Sequence, residues 1–199
     1  MSMLNGTTFR LLARMTALFI VAVLFACSAS WADRAPGKKQ KMTTNEPVVV
    51  METTKGTIKI QIYKNEAPIT AGNFLDLVQK GFYDGVSFHR YEPGFCIQGG
   101  DPKGTGSGGY IDPATHLEHT IPLEVKPNLK HDSAGIIAMA RTDNPNSASS
   151  QFYFTLGPAS FLDGQYAVFG KVIDGLDVVK ALRKGDKMTK VSMLETANK

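Results

Sequence analysis

Residues 88–101 run Phe-His-Arg-Tyr-Glu-Pro-Gly-Phe-Cys-Ile-Gln-Gly-Gly-Asp. Two short apolar and aromatic runs, residues 87–91 and 95–99, are split by Pro93-Gly94, a dipeptide that makes turns and ends helices. The pattern predicts two short strands. Side chains alternate at period two in a strand, which puts Phe88, Arg90 and Glu92 on one face of the first and Cys96 with Gln98 on one face of the second. The same spacing pairs Gln151 with Tyr153 farther along. An arginine, two amides and several aromatic groups would then line one groove. Each also has a plainer role, Arg90 as a surface ion-pair partner and Phe95 or Tyr153 as core. By themselves these residues point to a peptide or small-molecule groove and to nothing sharper.

The same texture continues outward. Residues 48–54 and 56–63 form two β-prone runs joined by a tight turn at Lys55-Gly56, with Ile58, Ile60 and Ile62 alternating with polar residues. Further short runs lie at 121–125, 135–141, 151–156, 166–173 and 191–194. Helical spacing appears twice. Residues 67–80 carry Pro68 in the first turn, Phe74, Leu75, Leu77 and Val78 on one face, and Gly81 where a left-handed cap is expected. Residues 177–184 form the second helix. Roughly eight short strands with two helices predict a mainly β fold, a barrel or a sandwich. Composition agrees: 199 residues with 43% hydrophobic and 20% charged suit one globular domain. They exclude a disordered, collagen-like or multi-span membrane chain.

Chemistry that needs a metal or a nucleophile finds no support. Gly104-Thr105-Gly106-Ser107-Gly108-Gly109 lacks the Gly-Lys-Ser/Thr ending of a phosphate cradle and reads as a flexible surface loop. His116-Leu117-Glu118-His119 has the wrong order for a zinc helix, and Pro113 and Pro122 bracket it, so these are loop histidines. No serine sits in a nucleophile elbow. No metal and no cofactor are expected.

Residues 1–32 have another character. Arg10 and Arg14 precede an apolar run over residues 15–26, and Ser30-Trp31-Ala32 offers small residues where a signal peptidase reads. The run is shorter than the about 20 residues that span a bilayer. An export signal cleaved after Ala32 is expected, leading to the periplasm or the exterior. The alternative is a lipoprotein anchored at Cys27, because Leu24-Phe25-Ala26-Cys27 resembles a lipobox. Removing 32 of the 199 residues takes Arg10 and Arg14 with them and lowers the net charge from +4 to +2. No nucleic-acid patch is needed to explain so small an excess. One thiol, Cys96, would remain, too few for an internal disulfide. Residues 33–46, polar and Lys-rich, are expected to be a flexible linker ahead of a domain over 47–199.

Residues 88–101 closely resemble the FHR-x-x-PGF-x-x-QGGD signature of the cyclophilins, the peptidyl-prolyl cis-trans isomerases. Residues 135–141 followed by Ser150-Gln151-Phe152-Tyr153 look like that family's second motif. Phe161-Leu162-Asp163-Gly164, then residues 166–172, resemble its third. The resemblance runs in order from Val48 to Met193. It implies a closed eight-stranded antiparallel β-barrel capped by two α-helices. It also implies an enzyme that speeds rotation of Xaa-Pro bonds in unfolded or newly exported proteins, with proline-containing segments as partners. A non-catalytic proline-peptide-binding module or chaperone is the alternative. Arg90 resembles the catalytic arginine and Gln98 its supporting amide. Phe95, Cys96, Tyr153 and Leu162 resemble the walls of the proline pocket; Ala140, Arg141 and Gln151 resemble the groove for the extended peptide. Four positions depart from the family's usual pattern: Cys96 replaces Met, Tyr153 replaces Phe, Tyr166 replaces a His, and Phe161 replaces the Trp that contacts cyclosporin A. The last implies weak or no cyclosporin A binding. Phe161 with Tyr166 resembles bacterial members, and no coiled-coil pattern argues against a monomer.

Overall fold

The computed structural model describes residues 46–194, so the expected export segment, Cys27 and nearly all of the expected linker lie outside the described residues. Glu46, assigned to that linker, is instead fastened to the domain. Its carboxylate accepts the Lys64 backbone N–H at 2.7 Å and the Asn65 side-chain amide at 2.8 Å.

The first hairpin joins β1 (Val48–Thr53) to β2 (Gly56–Ile62) through a two-residue turn at Thr54-Lys55, with Met51 opposite Ile58. Helix α1 (Pro68–Gln79) begins on Pro68, whose missing N–H is no loss in a first turn. It ends as predicted at Gly81, whose φ of 66° is left-handed. The Gly81 N–H reaches the Val78 carbonyl and the Phe82 N–H reaches that of Leu77, both at 3.0 Å, which closes the last turn.

There follow β3 (Phe88–Glu92), β4 (Cys96–Gly99), β5 (Ile136–Met139), β6 (Phe152–Thr155), a 3-10 turn at Ser160–Leu162, β7 (Val168–Asp174), α2 (Leu176–Ala181) and β8 (Met188–Met193). Helix α2 is shorter than predicted because the Asp186 carboxylate takes the Arg183 N–H at 2.7 Å, stopping the helical ladder. Residues 121–125 do not form the predicted strand. Pro122 has no N–H to give, the Leu123 N–H goes to the Asn146 side chain at 3.1 Å, and only Ile121 bridges a neighbour, Ala148.

All pairings are antiparallel, and the eight strands lie in the order β3-β4-β6-β5-β7-β2-β1-β8. The sheet curls until its two edge strands approach. They meet at a bridge between Ser87 and Lys187, flanked by Phe88 N–H to Asp186 carbonyl at 2.8 Å and Met188 N–H to Val86 carbonyl at 2.9 Å. No ladder runs along β3 and β8 themselves, so the pairing is that of a curled eight-stranded sheet with two helices.

Each face of the sheet has its own apolar cluster. On one, Phe74 and Leu77 of α1 pack with Met51, Ile60, Phe88, Ile97, Phe152, Phe154 and Phe169. Burying each large side chain contributes about 2 kcal/mol of transfer free energy. On the other, Cys96, Ala138, Tyr153, Leu162 and Val168 form a smaller cluster, with Phe95, Ala140 and Tyr166 packed against it. That second face carries the groove.

Candidate active site

Strands β3 and β4 pair Phe88 with Gly99 and Arg90 with Gln98, so His89 has no counterpart on β4. Directly opposed residues share a face. This bulge changes the phase of the strand: the Phe88 ring lies over Gly99 in the main core, and Arg90 stands beside Gln98 on the other face. Period-two alternation groups Phe88 with Arg90, and the extra residue at His89 separates them.

Arg90 Nη1 donates to Gln98 Oε1 at 3.3 Å, and its Nε donates to Glu92 Oε1 at 3.4 Å. The guanidinium carbon stands 5.9 Å from the centre of the Phe95 ring. Gln98 passes the chain on: its Nε2 donates to Gln151 Oε1 at 2.9 Å. Gln151 Nε2 then donates to the carbonyls of Gly106 and Gly108 at 3.0 and 2.8 Å. Both amides use their oxygen and their nitrogen, which fixes the Gln98 oxygen toward Arg90.

Beside this chain opens a cavity of about 470 Å³. Arg90 and Gln98 form its polar rim, and Phe95, Cys96, Tyr153 and Leu162 form its apolar walls. Ala140, Arg141 and Tyr166 also line it. The order β4-β6-β5 explains the assembly, because Gln98 and Ala138 both lie opposite Tyr153 and share its face. Two expected site residues fall elsewhere. Phe161 is 64% exposed, at the rim with its ring 5.5 Å from that of Phe95. Gln151 borders a second, polar cavity of about 180 Å³, lined also by Glu118, Thr120 and Ser149. The two cavities share Gln98, Gly106, Ala140 and Arg141 as a wall.

Arg141 holds that wall in place. Its fork donates twice to the Gln165 carbonyl, at 3.0 and 3.1 Å, and once to that of Thr142 at 2.8 Å. Its guanidinium lies 4.6 Å from the Tyr166 ring centre. Cys96 is buried, and burial pushes its thiol pKa up, away from the thiolate that redox or nucleophilic work needs.

Three lining residues were not expected: His89, Thr105 and Gly106. His89 is buried with neither ring nitrogen hydrogen-bonded, and burial pulls its pKa down against the opposing charge of Asp101. Thr105 and Gly106 belong to the glycine loop, which is organised rather than slack. The buried Asp101 carboxylate accepts the N–H groups of Lys103, Thr105 and Gly106 at 2.8, 2.8 and 2.6 Å. Burial alone would raise its pKa, but these donors and that of Gly108 outweigh it and hold the carboxyl at about 2. An aspartate separated by two residues from a glycine-rich run, here Asp101-Pro102-Lys103-Gly104, is the sequence sign of such a clip.

The site therefore presents Arg90 at the mouth of a cavity with one apolar wall, while the second arginine of the lining, Arg141, is taken up by backbone carbonyls. Residues 48–198 match the family described as cyclophilin type peptidyl-prolyl cis-trans isomerase/CLD. The chain belongs to the cyclophilin family. Among its relatives, the peptidyl-prolyl cis-trans isomerase-like 1 of Rhizopus delemar is 46% identical over 134 residues, covering 67% of this chain and 78% of that protein. The mouse protein of the same name is 40% identical over 154 residues, covering 77% and 84%. A crystal structure of a Cryptosporidium parvum cyclophilin superposes with a TM-score of 0.68 at 30% identity, over 76% of this chain and 99% of that one. The same protein, solved in the presence of the dipeptide Ala-Pro, gives 0.67 at 31% identity, over 75% and 99%. These relatives are eukaryotic, so the cyclophilin assignment stands without support from them for a bacterial, exported origin.

Proposed function

We propose that the groove accelerates cis-trans rotation about Xaa-Pro bonds in unfolded or newly exported polypeptides. One observation carries this reading: Arg90, held by Gln98, stands at the mouth of a cavity walled by Phe95, Cys96, Tyr153 and Leu162. Rotation about the peptide bond is opposed by about 18–20 kcal/mol. The rate at about 20 kcal/mol is on the order of 0.01 per second, so a turnover near a thousand per second needs the barrier lowered by about 7 kcal/mol. No covalent step is required, which suits a cavity without an activated nucleophile.

Three effects share that reduction. The prolyl ring enters the apolar walls, away from water that stabilises the planar, polar amide. Arg90 donates to the prolyl nitrogen, whose lone pair becomes available only as the bond twists, so its contribution of about 1.5–3 kcal/mol falls on the transition state. Ala140, Arg141 and Gln151 hold one side of the peptide extended, as an added strand would be held, while the carbonyl side turns. Phe161 and Tyr166 flank the entrance.

The test is isomerisation kinetics on a short Ala-Pro-Phe reporter. Arg90→Ala is expected to lower turnover by roughly a hundredfold with peptide affinity little changed. Equal losses in both would show that Arg90 is not the donor to the twisting bond. Binding without acceleration in the unsubstituted protein would make the groove a peptide-holding module. Cyclosporin A is expected to inhibit weakly or not at all, because Phe161 presents less aromatic surface than Trp and no indole N–H. Submicromolar inhibition in the same assay would contradict this.

We further infer that the curled sheet is a closed barrel and that a bacterial host exports the protein. A closed barrel is supported by the bridge between Ser87 and Lys187 and its flanking hydrogen bonds. Export is supported by the charged and apolar pattern of residues 1–32, by the small residues ending at Ala32, and by Phe161 with Tyr166.

A further inference from the structure

Behind the proline-pocket wall lies a polar relay through Tyr153, and its other two members, His131 and Asp163, do not line the cavity. His131 is fully buried between Asp163 and Tyr153. Its Nδ1 is 3.0 Å from Asp163 Oδ1, and its Nε2 is 2.9 Å from the Tyr153 hydroxyl. The two rings are nearly parallel, 11° apart in plane with centres 6.0 Å apart. We propose that Asp163 and His131 are positioning residues that hold Tyr153 in one orientation and so set the shape of the proline pocket. The proposal rests on the isomerase reading of that pocket.

The hydrogen positions follow from the partners. Asp163 Oδ1 also accepts the His131 backbone N–H at 2.8 Å, and Lys130 stands 3.8 Å from Oδ2. Burial raises the Asp163 pKa, but these donors and Lys130 outweigh it and keep it below the usual carboxylate value. An ionised carboxylate has no proton to give, so Nδ1 carries the hydrogen. Where Nδ1 is the ring's only protonated nitrogen, Nε2 accepts from the Tyr153 hydroxyl, 2.9 Å away, and this tautomer is the one the relay requires. A phenol this deeply buried needs such a partner. The phenylalanine usual at this position in the resembling family would need none.

The relay also joins two walls. Asp163 directly follows Leu162, so the carboxylate that orients His131 anchors the turn carrying Leu162. The His131 carbonyl accepts the Ala159 N–H at 2.7 Å, which ties the start of that turn to the same residue. Losing the relay frees the Tyr153 ring and loosens the Leu162 turn together. Both effects act on how the prolyl ring is received and not on the donor at Arg90. The expected signature is a change in KM with kcat nearly constant, the opposite of Arg90→Ala.

A double-mutant cycle tests this on the full chain. His131→Gln and Tyr153→Phe are each expected to raise KM for the Ala-Pro-Phe reporter by roughly fivefold, and the double variant to do no worse than either single. Multiplying losses, or a His131→Gln effect on kcat alone, would overturn the relay. Ring-nitrogen NMR on the unsubstituted protein gives a second readout that needs no activity or variant. The Nδ1-protonated tautomer of His131 supports the relay, and the Nε2-protonated one overturns it. If the unsubstituted protein does not turn the reporter over, the isomerase reading fails, and the same cycle read on peptide affinity still decides the relay.

Discussion

At Arg90 the guanidinium is aimed by its partners: Nη1 is on Gln98 and Nε on Glu92, which leaves Nη2 without a hydrogen-bond partner among the described residues. The pair with Glu92 is exposed on both sides and contributes little. The aim therefore comes from Gln98, and Gln98 is in turn held by Gln151. Gln151→Leu removes the acceptor for Gln98 and both bonds to the glycine loop. It is expected to lower kcat/KM by about tenfold, roughly the 1–1.5 kcal/mol of one well-placed hydrogen bond. Combining it with Gln98→Leu should add little, because both changes break one chain; kinetics on the reporter peptide would show independent losses if the chain does no positioning. Arg90, Cys96, Gln98 and Tyr153 were legible through strand alternation and motif order together, whereas Phe95 and Leu162 came from motif order alone, because Leu162 lies in a turn that no strand period reaches. His131 and Asp163 were not, because they lie in loops, where no period relates a residue to the pocket it supports.

Among the elements, those with a repeating pattern were legible and those set by a single side chain were not. The alternation Ile58, Ile60, Ile62 marks β2, and Pro68 with Gly81 brackets α1. The bulge at His89, the early end of α2 at Asp186 and the non-strand at residues 121–125 each depend on where one hydrogen bond goes. The glycine loop looks slack in sequence yet is gathered around Asp101 by several backbone N–H groups. The sign of its pH dependence follows from the depressed pKa. With the folded value at about 2 and the ordinary value near 3.8, the ionised carboxylate stabilises the fold fully above about pH 4. That contribution fades as pH falls toward 2 and amounts to about 2 kcal/mol. Urea unfolding of the parent and Asp101→Asn should therefore differ by about 2 kcal/mol at pH 6 and converge by pH 2. A gap that stays constant with pH would mean that the carboxylate charge does not hold the loop.

For the molecule as a whole, the described chain closes on itself: the Leu194 N–H bonds the Val48 carbonyl at 2.8 Å, and β1 lies between β2 and β8. Among the described residues, the core on both faces of the sheet is built from residues 49–191, and Glu46 ties down the turn at Lys64-Asn65. The proposed export then makes a definite prediction. The protein produced in a bacterial host with its own N-terminus should be recovered from the periplasm beginning at Asp33, as intact-mass measurement would read. The 167-residue product should isomerise the reporter as fast as the full chain does. A lipid-modified N-terminus at Cys27 would replace cleavage after Ala32 with anchoring, since an acyl chain adds about 0.8 kcal/mol per buried CH₂ and two chains hold firmly. A product still beginning at Met1 in the cytoplasm would overturn export, and isomerisation of the reporter by that product would show that the chemistry does not depend on cleavage.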